Sequence, residues 1–236
     1  MLGDGFVDIS KVPDVPYTTE DFVKSKEIKE KTGVEEMLVL FVADKDGTPL
    51  TGERMNEIIQ AEYDRLEIGK FLSEEEDSVE EYEHEDFFTK LGLSYEWKLV
   101  TKQTIPDSKN RRHHQEDETD YRFTHQDTQE YAIEEYAKKL DIPRDQLHRP
   151  EPFQMLYATA LHLIATERLL GKGKGERILE NENHWSDVID SNELLVVVGT
   201  AGSDGATVYM DSYDGRFGNL GVCLSREPSS TKSLDT

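Results

Sequence analysis

An alternating run of glycine and lysine, GKGKG at 171–175, is the segment of this sequence that most directly suggests chemistry. Glycine-rich loops bind phosphate when their backbone amides point at it from the start of a helix. The spacing here matches neither GxxxxGK[ST] nor GxGxxG, and no Ser or Thr follows Lys172 or Lys174. The run also follows an apolar helical segment, where glycines and lysines are typical of a helix C-terminus. We therefore interpret it as a hinge and predict no cofactor site.

Three histidines, His113, His114 and His125, lie around four carboxylates between positions 116 and 120. Imidazole and carboxylate groups bind zinc and related metals. Adjacent histidines rarely point the same way, however, and no HExxH spacing frames them. We interpret the segment as a solvated polar loop. The sequence thus predicts no catalytic residue, no cofactor-binding residue and no metal ligand, and it indicates a protein that is not an enzyme.

The other candidate side chains have ordinary structural interpretations. Cys223 is the single cysteine, which excludes an intrachain disulfide and a cysteine-based zinc site. His162 lies on a largely apolar helical segment, where a hydrogen-bonded packing role is the simpler explanation. Trp97 and Trp185 suit either an interface anchor or the edge of a core. None of these residues predicts a reaction.

The charge of the chain is strongly negative. Its 236 residues include 50 Asp+Glu and 27 Lys+Arg, for a formal net charge of −23. Such a surface repels phosphate, which argues against DNA binding through basic contacts. It suits a high-salt cytoplasm, a basic partner, or a channel past which nucleic acid slides. We find no signal-peptide pattern and no apolar run long enough to span a bilayer, so we expect a soluble protein without membrane contact.

Two segments have clear helical periodicity and must supply the core. Segment 52–67 has an apolar stripe in which only Glu62 is polar. Segment 153–176 is the most apolar segment with helical periodicity in the chain. Their matching spacing predicts that the two helices pack together. The predicted facing residues are Met55, Ile59, Tyr63 and Leu66 on the first helix, and Phe153, Leu156, Ala160 and Ile164 on the second.

Shorter signals indicate the remaining elements. A helix capped by Thr18 or Thr19 is expected to end at Gly33, followed by a strand over Met37–Val42. The segment from Ser73 to His125 is acidic and mostly without periodicity. Within it, apolar and polar residues alternate in LSYEWKLVTKQTI well enough for one strand. After about residue 190 the period changes to two, which predicts three strands near the C-terminus.

These elements predict an α+β fold with a mainly helical body, an acidic insertion and a small β-rich C-terminal part. The predicted divisions are 1–72 and 126–190 for the body, 73–125 for the insertion or arm, 191–225 for the β-rich extension, and 226–236 for a polar tail.

Three stretches together resemble a known family. They are PYTTEDFVKSKEIKEKTG, then GERMNEIIQAEYDRLE, then PEPFQMLYATALHLIATERLL with RILENENHWSDVI behind it. Their order is similar to that of the helical head–tail connector (adaptor) proteins of tailed viruses, in which a short capped helix precedes an amphipathic helix and a proline-led apolar helix packs across it. The acidic composition fits a virus of a salt-loving archaeal host.

The resemblance implies a structural virion protein assembled in the host cytoplasm. Such a protein forms a homo-oligomeric ring beneath the portal protein, extends the DNA channel and docks the tail-side connector protein. Double-stranded DNA is expected to pass through without specific binding, since carboxylates repel its phosphates. Two alternatives remain from other classes: a soluble acidic binding protein of a halophile, and a metal-dependent enzyme that uses the histidine loop.

Overall fold

The computed structural model describes residues 8–73, 84–106, 108, 125–170, 183–190, 194–202, 205–211 and 220–229. Its α-helices are α1 (Thr19–Thr32), α2 (Gly52–Leu66), α3 (Asp86–Thr89), α4 (His125–Leu140) and α5 (Pro152–Leu170). Two 3-10 turns lie at Ile9–Lys11 and Arg144–Gln146. Within these described ranges, no helix is long and apolar enough to cross a membrane.

The strands in the described ranges form two larger sheets and one small ribbon. The strands are β1 (Glu36–Phe41), β2 (Leu50–Thr51), β3 (Gly92–Leu93), β4 (Glu96–Thr101), β5 (Leu147–His148), β6 (Asn183–Ile189), β7 (Leu195–Gly202), β8 (Gly205–Asp211), β9 (Leu220–Gly221) and β10 (Ser225–Arg226). The central sheet has the order β1-β4-β10-β5 and is antiparallel throughout. The C-terminal sheet has the order β8-β7-β6-β9, and β2 pairs with β3.

Local chemistry explains where the first two helices begin and end. Thr18 and Asp21 form a capping box at the start of α1, in which each side chain bonds the other residue's backbone amide. Gly33 ends this helix with φ of 77°, a left-handed conformation that costs glycine little. Thr51 accepts a bond from the Arg54 amide at the start of α2. The predicted cap at Thr18 and the predicted end at Gly33 are confirmed.

The predicted pairing of α2 with α5 is confirmed as the centre of the main core. Seven of the eight predicted residues are buried in one cluster, and Leu66 packs against it partly buried. Val39, Phe41 and Val100 from the central sheet, and Val196, Val198 and Val208 from the C-terminal sheet, belong to the same cluster. The long helix α5 therefore lies between α2 and two sheets, which is why it is apolar on nearly every side.

The single polar residue in the apolar stripe of α2 has partners in the fold. Glu62 is only 7% exposed. Its carboxylate accepts bonds of 2.9 and 2.5 Å from Arg65, one helical turn away, and a third bond from Arg168 on α5. Two guanidinium groups thus compensate the burial of this charge and link the two helices.

A second core lies on the opposite face of the central sheet. Because side chains alternate along a strand, Glu36, Leu38, Arg226 and Leu147 point away from Val39 and Val100. The second cluster contains Ile28 from α1, Leu147 from β5, and Ile133, Tyr136 and Leu140 from α4. The central sheet is therefore covered on both faces.

The fold is α+β, but its predicted division into a mainly helical body, an acidic insertion and a small β-rich C-terminal part is wrong. The described residues form two four-stranded sheets in which every pair except the parallel β6–β9 pair is antiparallel, and the central sheet joins strands from four separate parts of the chain. Its β4, from the supposed insertion, lies between β1 and β10, and Val100 in that strand is fully buried. Two of its strands have only two residues, too few to show any periodicity in the sequence.

Candidate functional site

The residues singled out for phosphate or metal chemistry fall mostly outside the described part of the chain. The glycine-lysine run at 171–175, His113 and His114 lie beyond it, and for His125 only the backbone in α4 is described. In the described ranges, no group of three or more His, Cys, Asp or Glu side chains is arranged to hold a metal ion. The predicted absence of a metal site and a cofactor site remains a prediction.

The two tryptophans are placed to different extents. Trp97 lies in β4, half-buried, and its indole Nε1–H donates to the Pro13 carbonyl at 2.9 Å. Trp97 therefore holds the N-terminal segment against the central sheet. For Trp185 only the backbone in β6 is described, and His162 lies half-buried in α5.

His184 in β6 is the most completely enclosed imidazole that the structure describes, with 0% of its surface exposed. Its Nδ1 accepts a bond from the Cys223 backbone N–H at 3.0 Å, and its Nε2 lies 2.9 Å from the Pro150 carbonyl oxygen. Since a backbone N–H only donates, Nδ1 carries the lone pair and Nε2–H donates to Pro150. This neutral imidazole joins the C-terminal sheet, the start of α5 and the segment before β10.

This environment lowers the pKa of His184 to about 4. Burial is the largest cause, because the charged ring loses its hydration, and the nearby Arg149 charge acts in the same direction. The hydrogen bond to Pro150 opposes the shift without cancelling it. The ring is therefore neutral near pH 7, where it links these segments through its two hydrogen bonds.

The buried His184 makes stability depend on pH. The unfolded chain gains a proton near pH 6.5 and the folded chain only near 4, so folding stability falls as the pH is lowered through this interval. We expect the free energy of unfolding to drop by about 2 kcal/mol between about pH 7.5 and 5. Urea unfolding at both pH values measures this drop.

His184→Gln is the variant that assigns this drop to one residue. It should be less stable at neutral pH but should lose much less stability between the two pH values. The described carboxylates with lowered pKa, such as Asp21, have unperturbed values at or below 4.5, so they act mainly at lower pH. An equal drop in the wild type and the variant would show that other groups control the acid response.

Arg226 in β10 is the centre of a buried ionic cluster, hereafter the Arg226 cluster. Its Nε and Nη2 donate to the two Glu36 carboxylate oxygens at 3.0 and 2.7 Å. The same guanidinium lies 3.4 Å from Asp21 Oδ1 and donates to Ser25 Oγ at 2.9 Å. The side chains of all three charged residues are at most 3% exposed. The cluster thus joins the C-terminal strand to α1 and β1 with most of its polar atoms in hydrogen bonds.

Hydrogen bonds keep the buried Asp21 carboxyl ionised. Burial alone raises its pKa, but the bonds from Thr18 and from the Ser229 backbone outweigh this effect and the pKa is lowered. Ser229 N–H donates to Asp21 Oδ1 at 3.0 Å. The C-terminal residues up to Ser229 are therefore anchored on the start of α1.

The outer edge of β1 is the first of two long strand edges that offer unpaired backbone groups. Val39 pairs with Lys98 of β4, while the Lys102 amide donates to Glu35 and the Thr101 amide donates away from β1 to Leu224. Since amides alternate in direction along an antiparallel strand, the backbone groups of Leu38 and Leu40 point outward. Among the described residues, none bonds to them.

The outer edge of β8 is the second long strand edge with unpaired backbone groups. Its first part is occupied, because the Ala206 amide donates to the Phe71 carbonyl and the Ser73 amide donates to Ala206. The backbone groups of Val208 and Met210 point to the same side as those of Ala206, and no described residue bonds to them. The other edge strands in the described ranges, β2, β3, β5 and β9, have two residues each.

Both edges and the Arg226 cluster escaped the sequence analysis. Strands were predicted close to the positions of β1 and β8 in the sequence. Which side of a strand stays unpaired, however, depends on the strands next to it in space. The sequence signal for the first edge is that MLVLF in β1 is apolar and contains no proline or lysine. Proline and lysine residues usually protect an exposed strand edge from pairing. Comparison of this chain with protein-family models, with curated proteins and with solved structures found no match.

Proposed function

We propose that this chain is a structural assembly subunit that forms a closed ring, in the role of a head–tail adaptor of a tailed virus particle. The observation that carries the proposal is the pair of unlike strand edges, β1 and β8, on one subunit. Ring subunits meet head to tail, which requires two different complementary surfaces on each copy. Long apolar strand edges are aggregation hazards in a monomer, so a partner that covers them is expected.

The charge of the chain suits the interior of a DNA channel. A net charge of −23 repels the phosphate backbone, so double-stranded DNA passes without being held. In the proposed particle the ring lies between the portal protein and the tail-side connector protein. The virion setting rests on the resemblance in the sequence, and the ring rests on the strand edges.

Salt should promote assembly of the wild-type chain. Carboxylates on neighbouring copies repel one another, and the screening length falls from about 10 Å at 0.1 M salt to about 3 Å at 1 M. We expect light scattering coupled to size exclusion to show monomers or small species at low salt and a closed oligomer at high salt. The same measurement with a purified portal-type partner tests assembly that needs a template.

The opposite result would favour another class of protein. A monomer under every salt condition, with and without the partner, would contradict the ring assembly. An acidic binding protein would then be the better explanation. Truncation before the C-terminal strands is unsuitable as a test, because Val196, Val208 and Val222 are part of the buried cores. Point variants at the edges are therefore needed.

A further inference from the structure

We infer that two copies of the free chain pair through their β1 strands, antiparallel and about a two-fold axis that passes through Leu38. The inference concerns the chain before assembly and goes beyond the ring proposed above. The backbone N–H and C=O groups of Leu38 and Leu40 point away from the central sheet, and no described residue bonds to them. An open apolar edge of this kind favours pairing with another strand. A second copy of β1 offers the same groups at the same spacing.

The length of β1 determines the register of this pair. The pairing of β1 with β4 extends from Glu35 to Phe41, and Leu38 lies in the middle of these seven residues. A two-fold axis at Leu38 therefore places Glu35 opposite Phe41, and the whole edge is paired. The outward groups then meet in three residue pairs, Leu38 with its own copy and Glu36 with Leu40 on either side. Each pair exchanges two bonds, which gives six backbone hydrogen bonds between the copies.

The charges at this edge are already compensated inside each copy. Glu35 bonds Lys29, and Glu36 bonds Arg226 at 2.7 Å. In the inferred register an apolar residue lies opposite each glutamate, so no like charges face one another across the strands. Residues 9–48 include six lysines and nine carboxylates, a formal charge of −3 in a chain of −23. This part of a very acidic chain therefore adds little to the repulsion between two copies.

An exposed aromatic ring lies on the β1 side of α1. Ser25 and Lys29 of this helix bond Glu36 and Glu35, so α1 runs opposite to β1. Phe22 lies one turn before Ser25 on the same side of the helix, which brings it towards the middle of the strand. Its side chain is 43% exposed. The two-fold axis brings the Phe22 rings of both copies to the same side of the paired strands, where apolar surface is removed from water.

Self-pairing gives the aggregation-prone edge a partner before assembly. A contact of one surface with its own copy is two-fold and closes at two subunits. Because the two β1 edges then occupy each other, the dimer has to separate before β1 pairs with any other strand. The dimer is therefore a resting form of the chain.

Complementary charges at position 38 test the inference, because the axis places this residue opposite its own copy. Leu38 is half-buried at the edge, where a longer side chain reaches solvent with its charged end. Leu38→Lys alone and Leu38→Glu alone should be monomers at about 0.1 M salt, since like charges directly opposite one another destabilise paired strands. An equal mixture should regain the mass of the wild-type dimer in size exclusion coupled to light scattering. Far-ultraviolet circular dichroism checks that each variant is folded.

Cysteine cross-linking tests the register without a new charge. Leu38→Cys places two Cα atoms about 5.5 Å apart across the axis, within disulfide range. Oxidation should link two copies through position 38, which peptide mass spectrometry detects. Leu40→Cys is the matched control, because it makes the same change on the same edge. In the inferred register it lies opposite position 36 and about 14 Å along the strand from its own copy, so it should stay unlinked.

The outcomes separate the inference from the proposed function. A wild type that is monomeric at low salt, a charge mixture that stays monomeric, or a link at position 40 in place of 38 would each overturn the β1 pairing, whatever forms at high salt. A low-salt dimer that never gives a ring at high salt would support the pairing and contradict the proposed function. A wild-type dimer, its recovery in the charge mixture and the link at position 38 together support the pairing.

Discussion

Arg226→Ala should destabilise the protein by about 3–5 kcal/mol, a large part of the stability of an ordinary domain. The substitution removes the guanidinium that bonds Glu36 through two oxygens and lies beside Asp21. Both carboxylates then stay in a buried site without their cation. Removing one partner of a buried ion pair costs far more than the pair contributes, because the remaining charge keeps its desolvation penalty. Denaturant unfolding monitored by circular dichroism measures the loss.

Two further variants test the physical cause of this loss. Arg54→Ala is the matched control, since Arg54 also bonds Asp44 and Glu57 but its side chain is 49% exposed. It should change the free energy of unfolding by at most about 1 kcal/mol. Replacing Arg226 by Met together with Glu36 by Leu should cost less than Arg226→Ala alone, since one of the orphaned carboxylates is then absent. A loss below about 1 kcal/mol for Arg226→Ala would contradict the burial of the cluster.

Leu156→Ala should cost about 2–5 kcal/mol. Leu156 lies in α5 with 0% exposure, in the cluster shared by α2 and both sheets. Removing its side chain loses the burial of apolar groups and leaves a cavity that neighbours on three sides cannot easily fill. The midpoint of urea unfolding should fall while the slope with denaturant stays the same.

Leu169→Ala is the control for this prediction because it makes the same chemical change in the same helix. Leu169 is 83% exposed, so its replacement should alter stability by no more than about 0.5 kcal/mol. Equal losses for the two variants would place this face of α5 outside the core. The difference between them measures burial at Leu156 separately from helix propensity.

The features that were predictable from the sequence are those set by neighbours along the chain. The cap at Thr18 and the end of α1 at Gly33 depend on side chains and backbone angles within a few residues. The contact between α2 and α5 was predictable because spacing of three and four residues marks the face a helix buries. The strand predicted at Met37–Val42 lies at Glu36–Phe41 for the same kind of reason.

The tertiary structure alone determined the partners of these elements. Arg226 was assigned to a polar tail, since an arginine beside a serine has no local reason to be buried, yet it lies at the centre of an ionic cluster with residues of α1 and β1. His184 gave no signal because its two partners, the Pro150 carbonyl and the Cys223 amide, are backbone groups distant in sequence. Strand order and the open edges of β1 and β8 likewise depend on which strands meet in space. Local periodicity indicates only whether a residue faces solvent or the interior. Which strands pair depends on the free energy of the whole packed chain.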